Sequence, residues 1–239
     1  MEELTKKRVL ITGADAGLGL SLVQRFLQGG YAVYAAAHRS FGNLSSSSEE
    51  NNNSLTRIRL DVADIGSVCK AAQQVAEQTS ALDILINNAG IHLKDSKGPL
   101  EQLDLSDEQL QLTMNVNAFG PLRMVQQFLP LLENGRQKLI LNISSEAGSI
   151  ADCRRENQFA YCMSKAALNM QTKILQNYLK PRGFKVLAIH PGWMRTNMGG
   201  QEASISPDES ADGVFQLADR EWQAEEPIYM DYLGNPLPW

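Results

Sequence analysis

Tyr161 and Lys165 stand four residues apart in a stretch whose composition predicts a helix, so their side chains share a face. Asn142-Ile143-Ser144-Ser145 closes an apolar run shortly before them, and Asn117 interrupts an earlier helical stretch, where asparagine is a poor helix former. The chemistry that uses this set is proton transfer at a carbonyl or alcohol. Reducing a carbonyl takes a hydride and a proton for the developing alkoxide. Tyrosine ionises near pH ~10 when unperturbed, too high for ready exchange at neutral pH. A cation alongside stabilises tyrosinate and lowers that value, and Lys165 can do this while holding a nicotinamide ribose. A serine hydroxyl at the strand end can hydrogen-bond the carbonyl oxygen and fix its orientation. A Tyr–Lys pair at this spacing arises readily by chance, so its weight comes from the residues around it.

Short apolar runs at 8–12, 31–36, 57–60, 82–86, 139–143 and 186–189 read as strands, several of them rich in β-branched residues. Helical stretches fall between them at 18–27, 65–78, 107–132 and 159–179. This alternation predicts an α/β fold: a Rossmann-like, doubly wound parallel sheet with helices on both faces, in one domain spanning 1–239. The two long helical stretches carry apolar residues around much of their circumference, as Met114, Val116, Phe119, Leu122, Met124, Val125 and Phe128 show. Such helices are buried on more than one side. Loops packed over them would explain this, and so would a subunit interface, in a homodimer or homotetramer. The segment 44–54 (LSSSSEENNNS) is low in complexity and almost without apolar residues, and reads as a flexible solvated loop.

The first strand runs into Thr12-Gly13-Ala14-Asp15-Ala16-Gly17-Leu18-Gly19, a glycine turn that opens a helix. Glycines let backbone approach a pyrophosphate closely, and the helix start supplies N–H donors and a positive dipole. Gly13, Gly17, Leu18 and Gly19 are therefore candidate cofactor contacts, although the spacing is GxxxGxG rather than GxGxxG. The second strand ends in Ala36-Ala37-His38-Arg39-Ser40, with no carboxylate to bind ribose hydroxyls. Arg39 is the candidate ligand for the 2′-phosphate of NADP, which makes NADPH/NADP+ the expected cofactor over NAD+. Asp61, after the third strand, can cap the next helix or reach the adenine amino group. Asn88, Ala89 and Gly90, in Asn87-Asn88-Ala89-Gly90, lie at the carboxyl edge of the sheet, where ligands bind in open α/β folds.

Composition narrows the rest. Net charge is −5 with no basic block, which argues against a nucleic-acid partner. No apolar run is long enough to span a bilayer, and Met1 to Arg8 lacks the apolar core of a signal peptide. Three cysteines, Cys69, Cys153 and Cys162, match no metal-binding pattern and read as reduced thiols. The expectation is a cytoplasmic protein without a metal site, acting on a small molecule.

The motifs TGADAGLG (12–19), NNAG (87–90), NVNAFG (115–120), NISSEAG (142–148), YCMSK (161–165) and HPGWMRT (190–196) occur in the order found in the short-chain dehydrogenase/reductase family. The chain resembles that family across nearly its whole length. The resemblance implies Ser145, Tyr161 and Lys165 as the catalytic set, and Asn117 as the asparagine of the proton relay, with Asn115 the competing choice. Pro191, Gly192 and Thr196 resemble the segment that contacts the nicotinamide side. HPGWMRTNMGG (190–200), SPDESADG (206–213) and DYLGNPLPW (231–239) are similar to the carbonyl-reductase-like branch that includes C-factor proteins. In that branch, NADP-preferring members commonly carry a basic residue just before the second glycine of the turn. Here it is Ala16, which leaves Arg39 working largely alone. The stretch between Ser145 and Tyr161, with Asp152 to Glu156, is longer than in most members and is expected at the pocket rim. Residues 193–206 are the expected substrate lid, with only Arg195 and Glu202 charged. The implied function is reduction of a small carbonyl compound or the reverse alcohol oxidation. Its rival is a C-factor-like signalling or cofactor-binding protein with little turnover.

Overall fold

β1 (Arg8–Thr12) sends Val9 and Ile11 to one side of the sheet and Leu10 to the other, and all three are fully buried. Side chains alternate across a strand, so a strand apolar at every position must be covered on both faces. The same holds for β4 (Ile84–Asn87) and β5 (Leu139–Ile143), buried throughout. With β2 (Ala32–Ala37), β3 (Leu55–Arg59), β6 (Lys185–His190) and β7 (Tyr229–Asp231) they form one parallel sheet in the order β3-β2-β1-β4-β5-β6-β7. The computed structural model describes residues 6–41, 44, 54–93, 99–103, 108–223 and 225–239.

Two cores result, one per face. α1 (Gly17–Gln28) and α6 (Pro207–Asp219) cover the first, where Phe26, Tyr31 and Phe215 meet edge to face around Leu22 and Val214. α2 (Ile65–Ala76), α4 (Gly120–Glu133) and α5 (Phe159–Leu179) cover the second, packing Val68, Phe128 and Leu175 on Leu10, Ile58 and Leu85. Each such side chain contributes about 1.5–3 kcal/mol on burial. Chain order reverses between β1 and β4, which pair at Ile11–Ile86. Their carboxyl ends therefore diverge into a crevice, the switch point at which open α/β sheets bind ligands.

The strands lie within two residues of their sequence-based positions, and α5 coincides with 159–179. The stretch 107–132 is not one regular helix. It divides into α3 (Glu108–Met114), a π-helical turn (Asn115–Phe119) and α4. A π-turn adds a residue to the helix and commonly marks a functional position. β7 and α6 were not expected. α6 has a plain start signal: the Ser206 hydroxyl accepts from the Glu209 N–H (3.1 Å), Pro207 takes the first position, and Asp208 and Glu209 fill the first turn. Leu44, the first residue of the expected flexible loop, is instead fully buried in the core, and its carbonyl accepts from Arg57 (2.6 Å). The rest of that loop, 45–53, lies outside the described residues. On α5, Met163, Met170, Ile174 and Tyr178 are each more than half exposed, so no described loop packs over them. Among the described residues no helix is long and apolar enough to cross a membrane.

Candidate active site

The glycine turn sits at the carboxyl end of β1. Gly13 and Gly17 have φ of +63° and +52°. A Cβ on Gly19 would lie 1.9 Å from the Gly13 carbonyl oxygen, so the turn closes only with glycine there. Ala16 precedes α1 without a side-chain cap, which leaves the first N–H groups of a three-turn helix facing the crevice. The Leu18 side chain is buried in the core, so only its backbone can face a ligand. Asn88 lashes the turn from β4: its amide donates to the carbonyls of Thr12 (2.9 Å) and Gly13 (3.1 Å). The backbone N–H groups of Asn88 and Ala89 both donate to the Thr12 hydroxyl at 3.0 Å. On the far side, the Thr196 methyl lies against Gly17.

The segment behind Thr196 closes on itself. Met194 bridges Ile205, Arg195 N–H donates to the Ile205 carbonyl (2.9 Å), and the Trp193 indole donates to the Gly199 carbonyl (2.8 Å). The Arg195 guanidinium donates to the carbonyls of Ala203 and Ser204 at 3.0 Å. Pro191 and Gly192 lead into it, and the Pro191 carbonyl is held by the Ser210 hydroxyl at 2.6 Å. With these bonds already made, the expected lid has less left to order than a free loop.

At the end of β2, Arg39 is exposed and its carbonyl accepts from the Arg59 guanidinium (2.8 Å). Arg39, expected to work largely alone, therefore has a second cation beside it, Arg59, brought to this corner by the pairing of β3 with β2 rather than by the glycine turn. Asp61 makes a turn with the Ala63 N–H (2.9 Å), and its other oxygen lies 3.4 Å from His38 Nε2. The site of the missing carboxylate thus has a carboxylate beside it.

The reacting end is where β4, β5 and α5 converge. Lys165 is 5% exposed and donates to the Ile143 carbonyl at 2.8 Å, with its ammonium 5.8 Å from the centre of the Tyr161 ring. Gly90 makes room for it, since a Cβ there would come within 3.7 Å of the ammonium and 3.4 Å of Asn117 Oδ1. Asn117, carried by the π-turn, clamps this loop: Oδ1 accepts from the Ile91 N–H (2.8 Å), and Nδ2 donates to the Ile91 carbonyl (2.8 Å) and the Ser164 hydroxyl (3.0 Å). Asn115 points elsewhere, to the Ala63 carbonyl and Arg123. Ser145 caps the short turn Glu146–Gly148 by accepting from the Ala147 N–H (3.1 Å).

Burial governs the ionisation here. It pushes the Tyr161 phenol up to about 12. It also pulls the Lys165 ammonium down to about 8. Loss of water around the phenol is the largest influence on Tyr161. Among the described residues no three His, Cys, Asp or Glu side chains gather as metal ligands, and the three cysteines are free thiols.

Three residues of the reacting end, His92, Tyr229 and Glu146, went unread in the sequence. His92 stacks on Tyr161 with centroids 4.3 Å apart. The Tyr229 hydroxyl donates to the Ser145 carbonyl (2.8 Å), fixing its backbone from β7. Glu146 accepts the Ser145 hydroxyl at 2.6 Å and pairs with Arg155. His92 had a faint signal, standing two residues past the NNAG turn at the ligand-binding edge. Tyr229 had none, since β7 itself was not anticipated.

The chain as a whole has known relatives. The family model for short chain dehydrogenases matches residues 7–205. C-signal of Myxococcus xanthus is 35% identical over 162 residues, covering 67% of this chain and 95% of that protein. The uncharacterized oxidoreductase C663.08c of Schizosaccharomyces pombe is 30% identical, over 98% of this chain and 99% of its own. NADPH-bound carbonyl reductase from chicken fatty liver superposes with a TM-score of 0.88 at 30% identity, over 98% of this chain and 99% of that one. The carbonyl reductase Sniffer of D. melanogaster gives 0.87 at 28% identity, over 98% and 100%. With a matching family model over most of its length and full-length oxidoreductase relatives, this chain belongs to the short-chain dehydrogenase/reductase family and is similar in structure to carbonyl reductases.

Proposed function

We propose that this protein is an NADPH-dependent reductase of small carbonyl compounds, able to run the reverse alcohol oxidation. The observation that carries this reading is the convergence of Ser145, Tyr161 and Lys165 beside the glycine turn, at the switch point of the sheet. A dinucleotide fits the residues present: the uncapped start of α1 suits a pyrophosphate, and Gly13, Gly17, Gly19 and the Leu18 backbone form its cradle. Asn88, Ala89 and Gly90 would line the middle of the groove, Asp61 the adenine, Arg39 the 2′-phosphate, and Pro191, Gly192 and Thr196 the nicotinamide side. When bound, the nicotinamide supplies the hydride. Tyr161 then gives its proton to the substrate oxygen and Ser145 orients that oxygen. Lys165 favours the ionised phenol and holds the ribose, and Asn117 keeps the loop before it in register.

The rival reading, a signalling or cofactor-binding protein with little turnover, would also use Lys165 to hold the ribose, so turnover is what separates the two. Free thiols support the reducing cytoplasm as the place of action. The exposed apolar side of α5 supports association with a second copy. The test is NADPH consumption against a panel of aldehydes and ketones. Cofactor binding without any turnover across the panel, in the wild type, would overturn the reading.

A further inference from the structure

The segment DYLGNPLPW at 231–239 bears on the reacting end, although nothing in the proposed chemistry uses it. β7 delivers it there, and a carboxylate turns it back. Asp231 Oδ1 accepts the N–H groups of Leu233 and Asn235 at 2.9 Å each, and Oδ2 accepts the Asn235 side-chain amide at 2.9 Å. Gly234, with φ of +89°, takes the left-handed position of this turn. Met230 then bridges Pro236 in the antiparallel sense, and the Leu237 N–H donates to the Tyr229 carbonyl at 3.0 Å. The returning chain lies back along β7 and sets the Trp239 indole on the Tyr229 ring, with centroids 5.0 Å apart and planes inclined by 27°.

Two bonds of this hairpin reach the loop that Ser145 opens. The Tyr229 hydroxyl donates to the Ser145 carbonyl at 2.8 Å, and the Ala151 N–H donates to the main-chain oxygen of Trp239 at 2.8 Å. The Ser145 carbonyl also accepts the Gly148 N–H at 3.0 Å, so it closes the short turn and receives the phenol at once. A carbonyl oxygen has two lone pairs, and both are used. α5 grips the same loop from the other side. Asn169 Oδ1 accepts the Ser144 hydroxyl at 2.6 Å, and a Cβ on Gly148 would lie 2.8 Å from Asn169 Nδ2. With α5 on one side, the Tyr229 phenol sets the other. Tyr229 is 1% exposed and Trp239 is 42% exposed, so the indole is the outer cover of a buried phenol.

We propose that Trp239 is a positioning residue for Ser145: its indole keeps the Tyr229 ring in place, and the Tyr229 hydroxyl then fixes the Ser145 main chain at the crevice. This rests on the reading of Ser145 as the group that orients the substrate oxygen. The hold is on the Ser145 carbonyl and not on its side chain, so the hydroxyl stays free to rotate and offer its proton to that oxygen. A small misplacement of such a group slows the chemical step. Cofactor binding is untouched, because the glycine turn and the arginine corner lie at the ends of β1 and β2.

Three variants separate the parts. Tyr229→Phe keeps the ring and its stack and removes the hydroxyl, Trp239→Phe keeps a stacking ring, and Trp239→Ala removes it. The first readout is hydrogen exchange at the Gly148 amide, which needs no turnover. The second is kcat for a carbonyl substrate beside the Kd of NADPH. Tyr229→Phe and Trp239→Ala each quicken exchange by about two- to tenfold and lower kcat by about five- to twentyfold, with NADPH affinity unchanged. Trp239→Phe stays near wild type in both. The double variant Tyr229→Phe/Trp239→Ala is no worse than Tyr229→Phe, because the indole acts through a hydroxyl already gone, whereas a merely structural tryptophan would add its own loss. Wild-type exchange or wild-type kcat in Trp239→Ala, additive losses in the double variant, or NADPH affinity that falls along with kcat overturns the role. A wild type with no turnover but the expected exchange order overturns the proposed function and leaves the hold of Trp239 on Ser145 standing.

Discussion

The imidazole of His92 lies stacked on the ring of Tyr161, with centroids 4.3 Å apart and planes inclined by 26°. His92 follows β4 and Tyr161 stands in the first turn of α5, so the stack joins the two walls of the crevice. Lys165 approaches the same ring, and between them these two groups fix the plane in which the phenol can present its proton. A stacked pair contributes about 0.5–1.5 kcal/mol beyond its buried area.

His92→Ala should therefore lower kcat by about two- to tenfold while leaving NADPH affinity unchanged. His92→Phe, which can still stack, should recover most of the loss. Steady-state kinetics on both variants check this, and an alanine variant with wild-type kcat would mean that the stack does not orient the acid.

Tyr161→Phe should abolish turnover and keep cofactor affinity, since the ring, its stack and the Lys165 bond to Ile143 all survive. NADPH binding followed by fluorescence, beside the carbonyl assay, separates the two effects. If the phenylalanine enzyme turns over at the wild-type rate, the proton comes from another group.

Much of this site could be read before the fold was seen. Short apolar runs placed β1, β4 and β5, and a four-residue spacing put Tyr161 and Lys165 on one face of α5. What stayed hidden was contact across long separations. Arg59 reaches the carbonyl of Arg39 through the pairing of β3 with β2, and no local pattern marks it. The Tyr229–Ser145 bond spans 84 residues through a three-residue strand too short to announce itself. The directions of Asn115 and Asn117 needed the π-turn, because a regular helix through 107–132 misstates which way each points. The burial of Tyr161 stayed hidden for a related reason: sequence shows the neighbouring cation but not how much water the fold removes.

Lys165 should make the protein's stability depend on pH. Burial lowers its folded-state pKa to about 8, below the unfolded value. Between those two values the unfolded chain binds more protons, so stability rises with pH from about 8 towards the ordinary lysine range. Below that window the lysine is charged in both states and the cost of burying it is complete, on the order of 3 kcal/mol. Lys165→Met should then be inactive yet more stable near neutral pH, by somewhat less than that figure because the Ile143 carbonyl loses its donor. The gain should shrink at higher pH. Thermal melts of both proteins at the two ends of the window decide it, and a methionine variant that melts lower near neutrality would show that the ammonium is not a burden to the fold.

Cofactor preference should depend on two arginines rather than one. The 2′-phosphate carries close to two negative charges, and an arginine fork meets it with charge-assisted hydrogen bonds worth about 1.5–3 kcal/mol. Among the described residues no hydrogen bond or ion pair engages the Arg39 guanidinium, whereas Arg59 already donates to the Arg39 carbonyl. Arg39→Ala should weaken NADPH by about tenfold or more and leave NADH nearly unchanged. Arg59→Ala should weaken NADPH by a smaller factor, and the double variant more than either. His38→Asp adds a ribose acceptor and a charge that repels the phosphate, which turns preference towards NADH. Asp61 lies 3.4 Å from the present imidazole, so the new carboxylate would crowd it, and part of the gain for NADH should be lost to that repulsion. An Asp61→Asn background should therefore enlarge the His38→Asp switch. The measurement is kcat/KM for both cofactors across these variants. A wild type that prefers NADH, or an Arg39→Ala variant that weakens both cofactors equally, removes the basis for assigning the phosphate to this corner.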